Sequence, residues 1–519
     1  MRVLRRIVLC ILLLGLSLVL FDGCNPLPSL ENRKSSTAYP DTGDTQLGAA
    51  VSPRVGAHPG TSGIYGLPNA HDAFAARMLL AQVAERSLDI QYYIWHDDMT
   101  GTMLYEALHA AADRNVRVRL LLDDNRTAGL DSILAALDSH PNIEVRLFNP
   151  FTFRKLRILG YLTDFSRLNR RMHNKSFTAD NQATIIGGRN IGDEYFDAAA
   201  AGTLTFSDID VLAIGPVVDE VSRDFDRYWA SGSSYPADRL LAPVSPRAIA
   251  DLAAAASAVE HDTAAVVYLQ AIENSAFVNE LLQGSLAFQW APTRMVSDDP
   301  AKGLGLAAPD SMMPQKLRNA IGMPVTELDL VSPYFVPTAA GVDAFVALAK
   351  RGVKIRILVN SLAATDVGAV HSGYARRRKA LLEAGVRLYE MRLVAIDASD
   401  RKSSGPFGSS ASSVHAKTFA VDRSRIFIGS FNFDPRSANL NTELGFVIES
   451  PALAGRLAEM FDAPIPAMAY EVHLADNGKL YWTEQSGGEE VRYDSEPNTG
   501  FWQRAAVTVL SWLPIEWLL

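Results

Sequence analysis

The stretch Ser87-Leu-Asp-Ile-Gln-Tyr-Tyr-Ile-Trp95 recurs later in the chain as Glu327-Leu-Asp-Leu-Val-Ser-Pro-Tyr-Phe335. In each copy a helical pattern and then a second apolar strand follow, at residues 115–122 and 352–359. A third pair of strands lies at residues 145–148 and 386–389. Strand, helix and strand in this order predict parallel βαβ units. The chain is therefore expected to contain an internal duplication of one α/β sandwich domain.

The repeat is strongest in two short segments. The first is His173-Asn-Lys175-Ser-Phe-Thr-Ala-Asp180, followed by Gly187-Gly188-Arg-Asn190. The second is His415-Ala-Lys417-Thr-Phe-Ala-Val-Asp422, followed by Gly429-Ser430-Phe-Asn432. The second histidine and the second asparagine each lie 242 positions after their counterparts. Residues two apart on a strand point to the same side, so the histidine and lysine of each segment are expected to project together.

Two such segments facing each other would place two imidazoles, two ammonium groups and two amides around one cavity. This set suits a phosphodiester: cations and amides bind the oxygens, one imidazole attacks phosphorus and the other protonates the leaving group. The small pairs Gly187-Gly188 and Gly429-Ser430 are expected to let the backbone approach a ligand closely. A metal site is the rival interpretation, and it is disfavoured because the paired lysines would repel the ion.

The pair of H-x-K-x4-D segments with G-[GS]-x-N resembles the phospholipase D superfamily. The longer stretches 171–177, 187–193 and 429–437 look like the bacterial cardiolipin synthase branch, in particular its C-type members. The resemblance implies two similar phospholipase D-type α/β sandwich domains with one shared active site at their interface. It also implies transfer of a phosphatidyl group to phosphatidylglycerol, without metal or cofactor, from phosphatidylglycerol or phosphatidylethanolamine. Hydrolysis of phospholipids to phosphatidic acid stays open as the alternative.

The resemblance also implies roles for individual residues. His173 is expected to attack phosphorus and His415 to protonate the departing alcohol, with the reverse order open. The residues expected to hold the phosphoryl oxygens are Lys175, Lys417, Asn190, Asn432 and Ser430. Asp210 and Glu443 are expected to orient the histidines, with Asp208 as the alternative to Asp210. Asp180 and Asp422 belong to the catalytic motif, although a structural role is favoured for both.

Composition narrows the function classes. The net charge of −9 argues against a general nucleic-acid binder, and a non-catalytic lipid-binding scaffold is disfavoured because both motifs are intact. The two cysteines, Cys10 and Cys24, both lie at the N-terminus, which excludes a disulfide framework, a zinc-thiolate site and a cysteine nucleophile in the body.

The N-terminus is typical of an export signal, with Arg2, Arg5 and Arg6 before the apolar run 7–21. Three outcomes stay open: lipidation of Cys24 as in a lipoprotein, an uncleaved signal-anchor, or complete cleavage. All three place the body outside the cytoplasm, because the arginines stay inside. Together with the resemblance, this predicts a membrane-associated protein of the bacterial cell envelope with its catalytic body on the periplasmic side.

The predicted organisation has five parts: the signal segment 1–24, a flexible linker 25–69, a first domain 70–260, a second domain 261–480 and an amphipathic tail 481–519. The basic and aromatic stretch 151–171 and the tail are candidates for contact with an anionic membrane surface, with packing against the body as the alternative for both. Residues 376–379 are expected to form a solvated helix face, with binding of lipid headgroups as the alternative. Residues 397–413 are expected to form a lid or a disordered insertion. Whether a soluble partner takes part is left open.

Overall fold

The computed structural model describes residues 27–198, 205–393 and 412–519. The predicted signal segment with Cys24 and residues 397–411 of the predicted lid lie outside the described residues. Among the described helices, none combines the length and the apolar character that a membrane span requires.

The first domain contains the N-terminal strands and helices. Its strands are β1 (Ser62–Leu67), β2 (Ser87–Tyr92), β3 (Arg117–Asp123), β4 (Ile143–Phe148), β5 (Ser176–Ala179), β6 (Ala183–Gly187), β7 (Thr205–Ser207), β8 (Asp210–Ile214), β9 (Ser234–Pro236) and β10 (Gln289–Ala291). Its helices are α1 (Gln46–Gly56), α2 (Ala70–Val83), α3 (Met99–Asp113), α4 (Asp131–Asp138), α5 (Arg157–Thr163), α6 (Phe165–Leu168), α7 (Pro216–Trp229), α8 (Pro246–Glu260), α9 (Thr263–Glu273) and α10 (Ala276–Leu282).

The second domain contains the remaining elements. Its strands are β11 (Thr293–Ser297), β12 (Glu327–Val331), β13 (Lys354–Asn360), β14 (Arg387–Met391), β15 (Ser412–Val414), β16 (Lys417–Val421), β17 (Arg425–Gly429), β18 (Leu444–Ile448), β19 (Ala469–Leu474), β20 (Leu480–Ser486) and β21 (Glu489–Tyr493). Its helices are α11 (Met313–Ile321), α12 (Thr338–Lys350), α13 (Gly368–Ala375), α14 (Arg378–Glu383), α15 (Pro435–Asn439), α16 (Pro451–Asp462), α17 (Pro464–Met468) and α18 (Phe501–Trp512).

Each domain is built on one large mixed sheet. The first has the strand order β10-β1-β8-β6-β5-β2-β3-β4-β9, and the second β11-β18-β17-β16-β12-β13-β14-β19-β20-β21. Strands β2, β3 and β4 are parallel, as are β12, β13 and β14, so the predicted βαβ units and the duplication are confirmed. The motif strands β5 and β16 run antiparallel beside β2 and β12.

Several helices in both domains begin at capping side chains. Asn69, Asp98, Ser245 and Ser450 each accept a hydrogen bond from a backbone amide in the first turn of the helix that follows. Such caps satisfy amides that have no partner inside the helix.

The two sheets share an apolar core. Ile186 and Val211 of the first sheet belong to the same buried cluster as Val331, Ile428 and Phe446 of the second. The domains also exchange backbone hydrogen bonds, because β7 pairs in parallel with β15. The motif segments are thereby brought to one interface.

The domain boundary differs from the prediction of 260/261. Strand β10 pairs with β1 in the first sheet, whereas β11 pairs with β18 in the second, so the chain crosses between sheets at Pro292. Strands β20 and β21 extend the second sheet to Tyr493, which shortens the predicted tail. Both boundaries depend on which strands pair in the sheets, and this pairing cannot be recognised from local amino-acid composition.

The predicted flexible linker 25–69 is also corrected. Within it, residues 46–56 form α1 and residues 62–67 form β1, the neighbour of β8. The preceding coil is bound through polar contacts: Ala38 N donates to the Asp226 carboxylate at 2.9 Å, and the buried Thr42 hydroxyl donates to Asp180 O. Hydrogen bonds anchor this segment to the first domain. Because it shows no apolar periodicity, the sequence pattern did not predict that it is ordered.

The motif aspartates have a structural role. Asp180 accepts hydrogen bonds from the backbone amides of Glu85, Arg86 and Ser87, which precede β2. Asp422 accepts the equivalent bonds from the amides of residues 325–327, which precede β12. Their place in the catalytic group is therefore corrected: each carboxylate anchors the start of the central strand of its domain.

Replacement of Asp180 by alanine should lower the free energy of unfolding by about 1–3 kcal/mol, because backbone amides are left without their acceptor. Urea unfolding followed by circular dichroism measures this. Asp476→Ala, at an exposed turn, is the control. An Asp180→Ala protein as stable as the control would contradict the structural role.

Candidate active site

His173 is positioned by the second domain. Its backbone N–H donates to Thr442 O at 2.9 Å, and its Nδ1 lies 2.8 Å from Glu443 Oε2. Ser430 Oγ donates to the same carboxylate oxygen at 2.5 Å. The carboxylate predicted to orient a histidine across the duplication is thus found at His173, and it directs the other ring nitrogen, Nε2, away from Glu443.

His415 is held in the same way by the first domain. Its backbone N–H donates to Ser207 O at 2.7 Å, and its Nδ1 lies 2.6 Å from Asp208 Oδ2. In both cases the residue that accepts the backbone bond immediately precedes the carboxylate that binds the ring. Each imidazole is therefore oriented by two consecutive residues of the opposite domain.

Asp208, not Asp210, is the carboxylate at His415. Gly187 pairs with Asp210 and Gly429 pairs with Gly445, so Asp210 corresponds to Gly445 and Asp208 corresponds to Glu443. Asp210 instead binds the buried guanidinium of Arg77 at 2.8 Å. Alignment of Ser-Asp-Ile around Asp208 with Thr-Glu-Leu around Glu443 would have identified the correct residue.

The small residues beside the motifs make room for carboxylates. A Cβ on Gly188 would collide with the Asp208 carboxylate, and a Cβ on Gly187 would collide with Asp210. At the position equivalent to Gly188 stands Ser430, whose hydroxyl binds Glu443 and accepts from Leu444 N at 3.1 Å. Gly187 and Gly188 thus make room for Asp210 and Asp208, and the Ser430 hydroxyl is bound within the protein. Close approach of the backbone to a ligand and a phosphate contact of Ser430 stay predictions.

The two motif lysines are buried beside the histidines. Lys175 Nζ donates to His173 O at 2.7 Å. Lys417 Nζ donates to His415 O and lies 2.9 Å from His415 Nδ1. Burial lowers the pKa of Lys417 to about 8 and that of Lys175 well below its usual value. A buried ammonium group is stabilised by a bound anion, so the two lysines favour an anionic ligand in this site.

The two imidazole–carboxylate pairs differ electrostatically. Burial lowers the pKa of His173 well below its usual value, and the charges of Lys175 and Lys417 add to the effect. Burial also lowers the pKa of His415, but there Asp208 opposes the shift. Burial raises the pKa of Glu443 to about 7. Burial acts in the same direction on Asp208, yet Lys417 and His415 lower the pKa of that carboxyl to about 2.

The predicted asparagines are both buried, with different surroundings. Asn190 Nδ2 donates to the Tyr195 hydroxyl at 3.0 Å, and Asn190 Oδ1 accepts from Ile94 N at 3.2 Å. Asn432 Oδ1 is buried without a hydrogen-bond partner among the described residues. Asn432 Oδ1 can therefore still accept a hydrogen bond from a donor group of a ligand, whereas both polar atoms of the Asn190 side chain are bound within the protein.

Three tyrosines in the site were missed by the sequence reasoning. The Tyr93 ring lies 5.2 Å from the His173 ring, and the Tyr195 and Tyr334 rings lie 5.4 Å and 6.5 Å from the His415 ring. Tyr93 and Tyr334 stand near the ends of the two repeated stretches that open the duplication. Tyr93 and Tyr334 could have been predicted as site residues because they lie just beyond the ends of the repeated strands β2 and β12.

The basic stretch 151–171 is largely neutralised within the protein. Arg154 and Arg157 bind the buried Asp124, and the buried Arg171 lies 3.2 Å from Asp123. Four apolar residues of this stretch are exposed instead, Leu162 to 74%. The others are Leu156, Ile158 and Phe165.

The C-terminal tail is bound to the second domain and still exposes its tryptophans. Arg377 binds Glu516 at 2.8 Å, and Arg378 is buried between Glu390 and Glu496, so the prediction of a solvated face at 376–379 is wrong for these two arginines. Trp502 is 82% exposed and Trp512 75%.

Asp208→Asn should lower the pKa of His415 further, because the carboxylate charge that favours the imidazolium is lost. Histidine-selective 13C NMR titration measures this. Asp210→Asn should shift His415 less and instead lower stability by about 3–5 kcal/mol, since the buried Arg77 loses its partner. A larger His415 shift in Asp210→Asn than in Asp208→Asn would contradict the assignment.

The chain matches the protein-family model described as "Cardiolipin synthase, PLD-like domain" over residues 79–229 and 317–464. It is 52% identical to cardiolipin synthase C of Escherichia coli (strain K12), over 91% of this chain and 100% of that protein. It is 23% identical to cardiolipin synthase A of Cronobacter sakazakii, over 76% of this chain and 68% of that protein.

Among solved structures, a phosphatidylserine synthase of Haemophilus influenzae Rd KW20 is similar in fold. The TM-score is 0.54 at 14% identity, and the match covers 82% of this chain and 92% of that chain. The two-domain α/β duplication is thus a known architecture. With the family match over both halves and the extensive identity to an E. coli relative, the chain belongs to the cardiolipin synthase family with phospholipase D-like domains.

Proposed function

We propose that the protein is a cardiolipin synthase that transfers a phosphatidyl group to phosphatidylglycerol through a phosphohistidine intermediate. The donor is a second phosphatidylglycerol or phosphatidylethanolamine, which releases glycerol or ethanolamine. The observation that carries the proposal is the pair of buried imidazoles, each oriented by a carboxylate of the opposite domain, beside two buried lysines. The identity to cardiolipin synthase C supports this choice of substrate.

In the first step, His173 Nε2 attacks the phosphorus of the donor. A nitrogen–phosphorus bond forms, and the bond from phosphorus to the alcohol oxygen breaks while His415 delivers its proton to that oxygen. In the second step, His415 takes the proton of the acceptor hydroxyl, and the resulting oxygen attacks phosphorus as the bond to His173 breaks. Every proton is transferred by His415, so each turnover restores the starting protonation.

The electrostatics support this order of roles. His173 has the more strongly lowered pKa, which keeps the ring neutral and nucleophilic. His415 pairs with Asp208, whose low pKa keeps a negative charge beside the ring. A histidine next to a carboxylate holds a proton more readily, as a general acid requires.

The lysines are assigned to charge stabilisation. Lys175 and Lys417 are buried, so their attraction to phosphoryl oxygens is screened little by water. The unpartnered Asn432 Oδ1 can accept a hydrogen bond from a hydroxyl group of the lipid substrate. Negative charge that develops on the pentacoordinate phosphorus centre therefore meets cations already in place.

The exposed apolar residues are assigned to a membrane surface. Leu162 on α5 and Trp502 and Trp512 on α18 project outward, and tryptophan favours the interface between lipid and water. The arginines of 151–171 contribute less than the sequence suggested, because acidic residues of the protein already bind them. We also propose that the body lies on the periplasmic side, with lipidation of Cys24, an uncleaved signal-anchor and complete cleavage all left open.

The proposal is tested by lipid mass spectrometry after incubation of purified protein with phosphatidylglycerol vesicles, with and without phosphatidylethanolamine. Cardiolipin should form with the native protein, and His173→Ala and His415→Ala should reduce its rate by about 10³-fold or more, as losses of catalytic nucleophiles and bases do. Free glycerol or ethanolamine identifies the donor. Phosphatidic acid as the main product would show a hydrolase instead.

A donor with a good leaving group separates the two histidines. With a nitrophenyl phosphatidyl ester, departure of the alcohol needs no proton, so His415→Ala should regain part of the initial burst of nitrophenol. His173→Ala should not, since its nucleophile is missing. Recovery by His173→Ala rather than His415→Ala would reverse the order of roles.

The charge of Lys417 predicts a pH dependence. Its pKa of about 8 means that the ammonium is charged below that pH and loses its charge as the pH rises through it. Arginine stays charged over this range. The ratio of kcat/KM for native protein to that for Lys417→Arg should therefore fall as pH rises through about 8. Lys379→Arg, at an exposed position, is the control, and a flat ratio for Lys417→Arg would contradict the assignment.

A further inference from the structure

An apolar groove runs along the second domain. It has a volume of about 550 Å³, and α11 and α12 form its walls above strands β12 and β16. Its lining includes Leu317, Phe345, Leu348, Phe419, Phe431 and Phe433. Small-molecule sites in proteins have volumes of roughly 300–1,000 Å³ and mostly apolar walls, which this groove matches.

The first domain closes the equivalent space with its own side chains. Helix α2, which precedes β2 as α11 precedes β12, is covered by α9 and α10 with the buried Tyr268 and Phe277. Tyr268 donates its hydroxyl hydrogen to Phe196 O at 2.8 Å, and the Phe196 ring lies 5.3 Å from Phe74.

Phe196 has a small counterpart in the second domain. It lies 242 positions before Ala438, the same offset as between the motif histidines, and Ala438 lines the groove. One copy of the duplication has therefore filled this space, while the other has kept it open.

We propose that the groove binds one acyl chain of the phospholipid substrate. The inference rests on the proposed function for the identity of the ligand and on the groove for its location. A hydrocarbon chain fits because it needs no hydrogen bonds from walls made mostly of leucine, phenylalanine, alanine and proline. An extended peptide would require partners for its backbone amides, which such walls do not offer.

The groove lies next to the motif segment of the second domain and to the exposed tail. Its residues Phe431 and Phe433 flank Asn432, the asparagine with unused hydrogen-bonding capacity. The groove residue Val336 and the C-terminal Leu519 both lie next to Gly373. In addition, the backbone N–H of Arg436, on α15 of the groove wall, donates to Leu519 O at 2.9 Å. A lipid headgroup in the site could thus keep a chain in the groove next to the tail assigned to the membrane.

Two alanines of α12 provide a matched pair of variants. Ala344 lines the groove, whereas Ala347 is exposed on the same helix outside the lining. The measured quantity is kcat/KM for phosphatidylglycerol with long chains divided by that with six-carbon chains. Ala344→Phe should lower this ratio about tenfold, the effect of losing contacts to roughly two methylenes. Ala347→Phe should change it by less than about twofold, and equal ratios for the two variants would overturn the proposal.

Cross-linking separates the groove from the reaction. Phosphatidylglycerol with a diazirine at the end of one acyl chain, in vesicles with the full-length protein, should label peptides from 314–345 and 419–439. If cardiolipin forms and the labels lie elsewhere, the groove assignment is wrong. If the labels lie in the groove but no cardiolipin forms, the acyl site stands and the proposed synthase activity is wrong.

Discussion

The structure depends on one reciprocal contact: each motif histidine is bound by a carboxylate of the opposite domain. Glu443 holds His173 and Asp208 holds His415, and in each case the preceding residue accepts the backbone hydrogen bond of the same histidine. Neither domain alone can orient its own imidazole. The shared apolar core between the sheets therefore maintains the site as well as the fold.

Burial gives these contacts their chemical value. Two lysines are buried beside two histidines, so solvent screens the positive charge of this site only weakly. Burial and the two lysines lower the pKa of His173, while Asp208 partly offsets the effect of burial on the pKa of His415. The two carboxylates therefore give two chemically identical side chains different surroundings.

The two halves have diverged around a common frame. Where the first half has Gly188 against Asp208, the second has Ser430 hydrogen-bonded to the longer Glu443. Beside the same frame, Phe196 closes a space in the first domain that Ala438 leaves open in the second. The duplication therefore places the same motif side chains in both domains, while differences in the size of neighbouring side chains make their surroundings asymmetric.

Local patterns predict the duplication, the α/β class and the two motif segments, because strand periodicity and repeated spacing can be recognised in short stretches of chain. The same patterns leave two aspartates as partners for His415, and the sheet register, in agreement with the repeat of Ser-Asp-Ile as Thr-Glu-Leu, selects Asp208. The boundary at Pro292, the anchored coil before α1 and the internal pairing of Arg154 and Arg171 are visible only in the folded protein. These features depend on contacts between residues far apart in the chain, which local patterns do not encode.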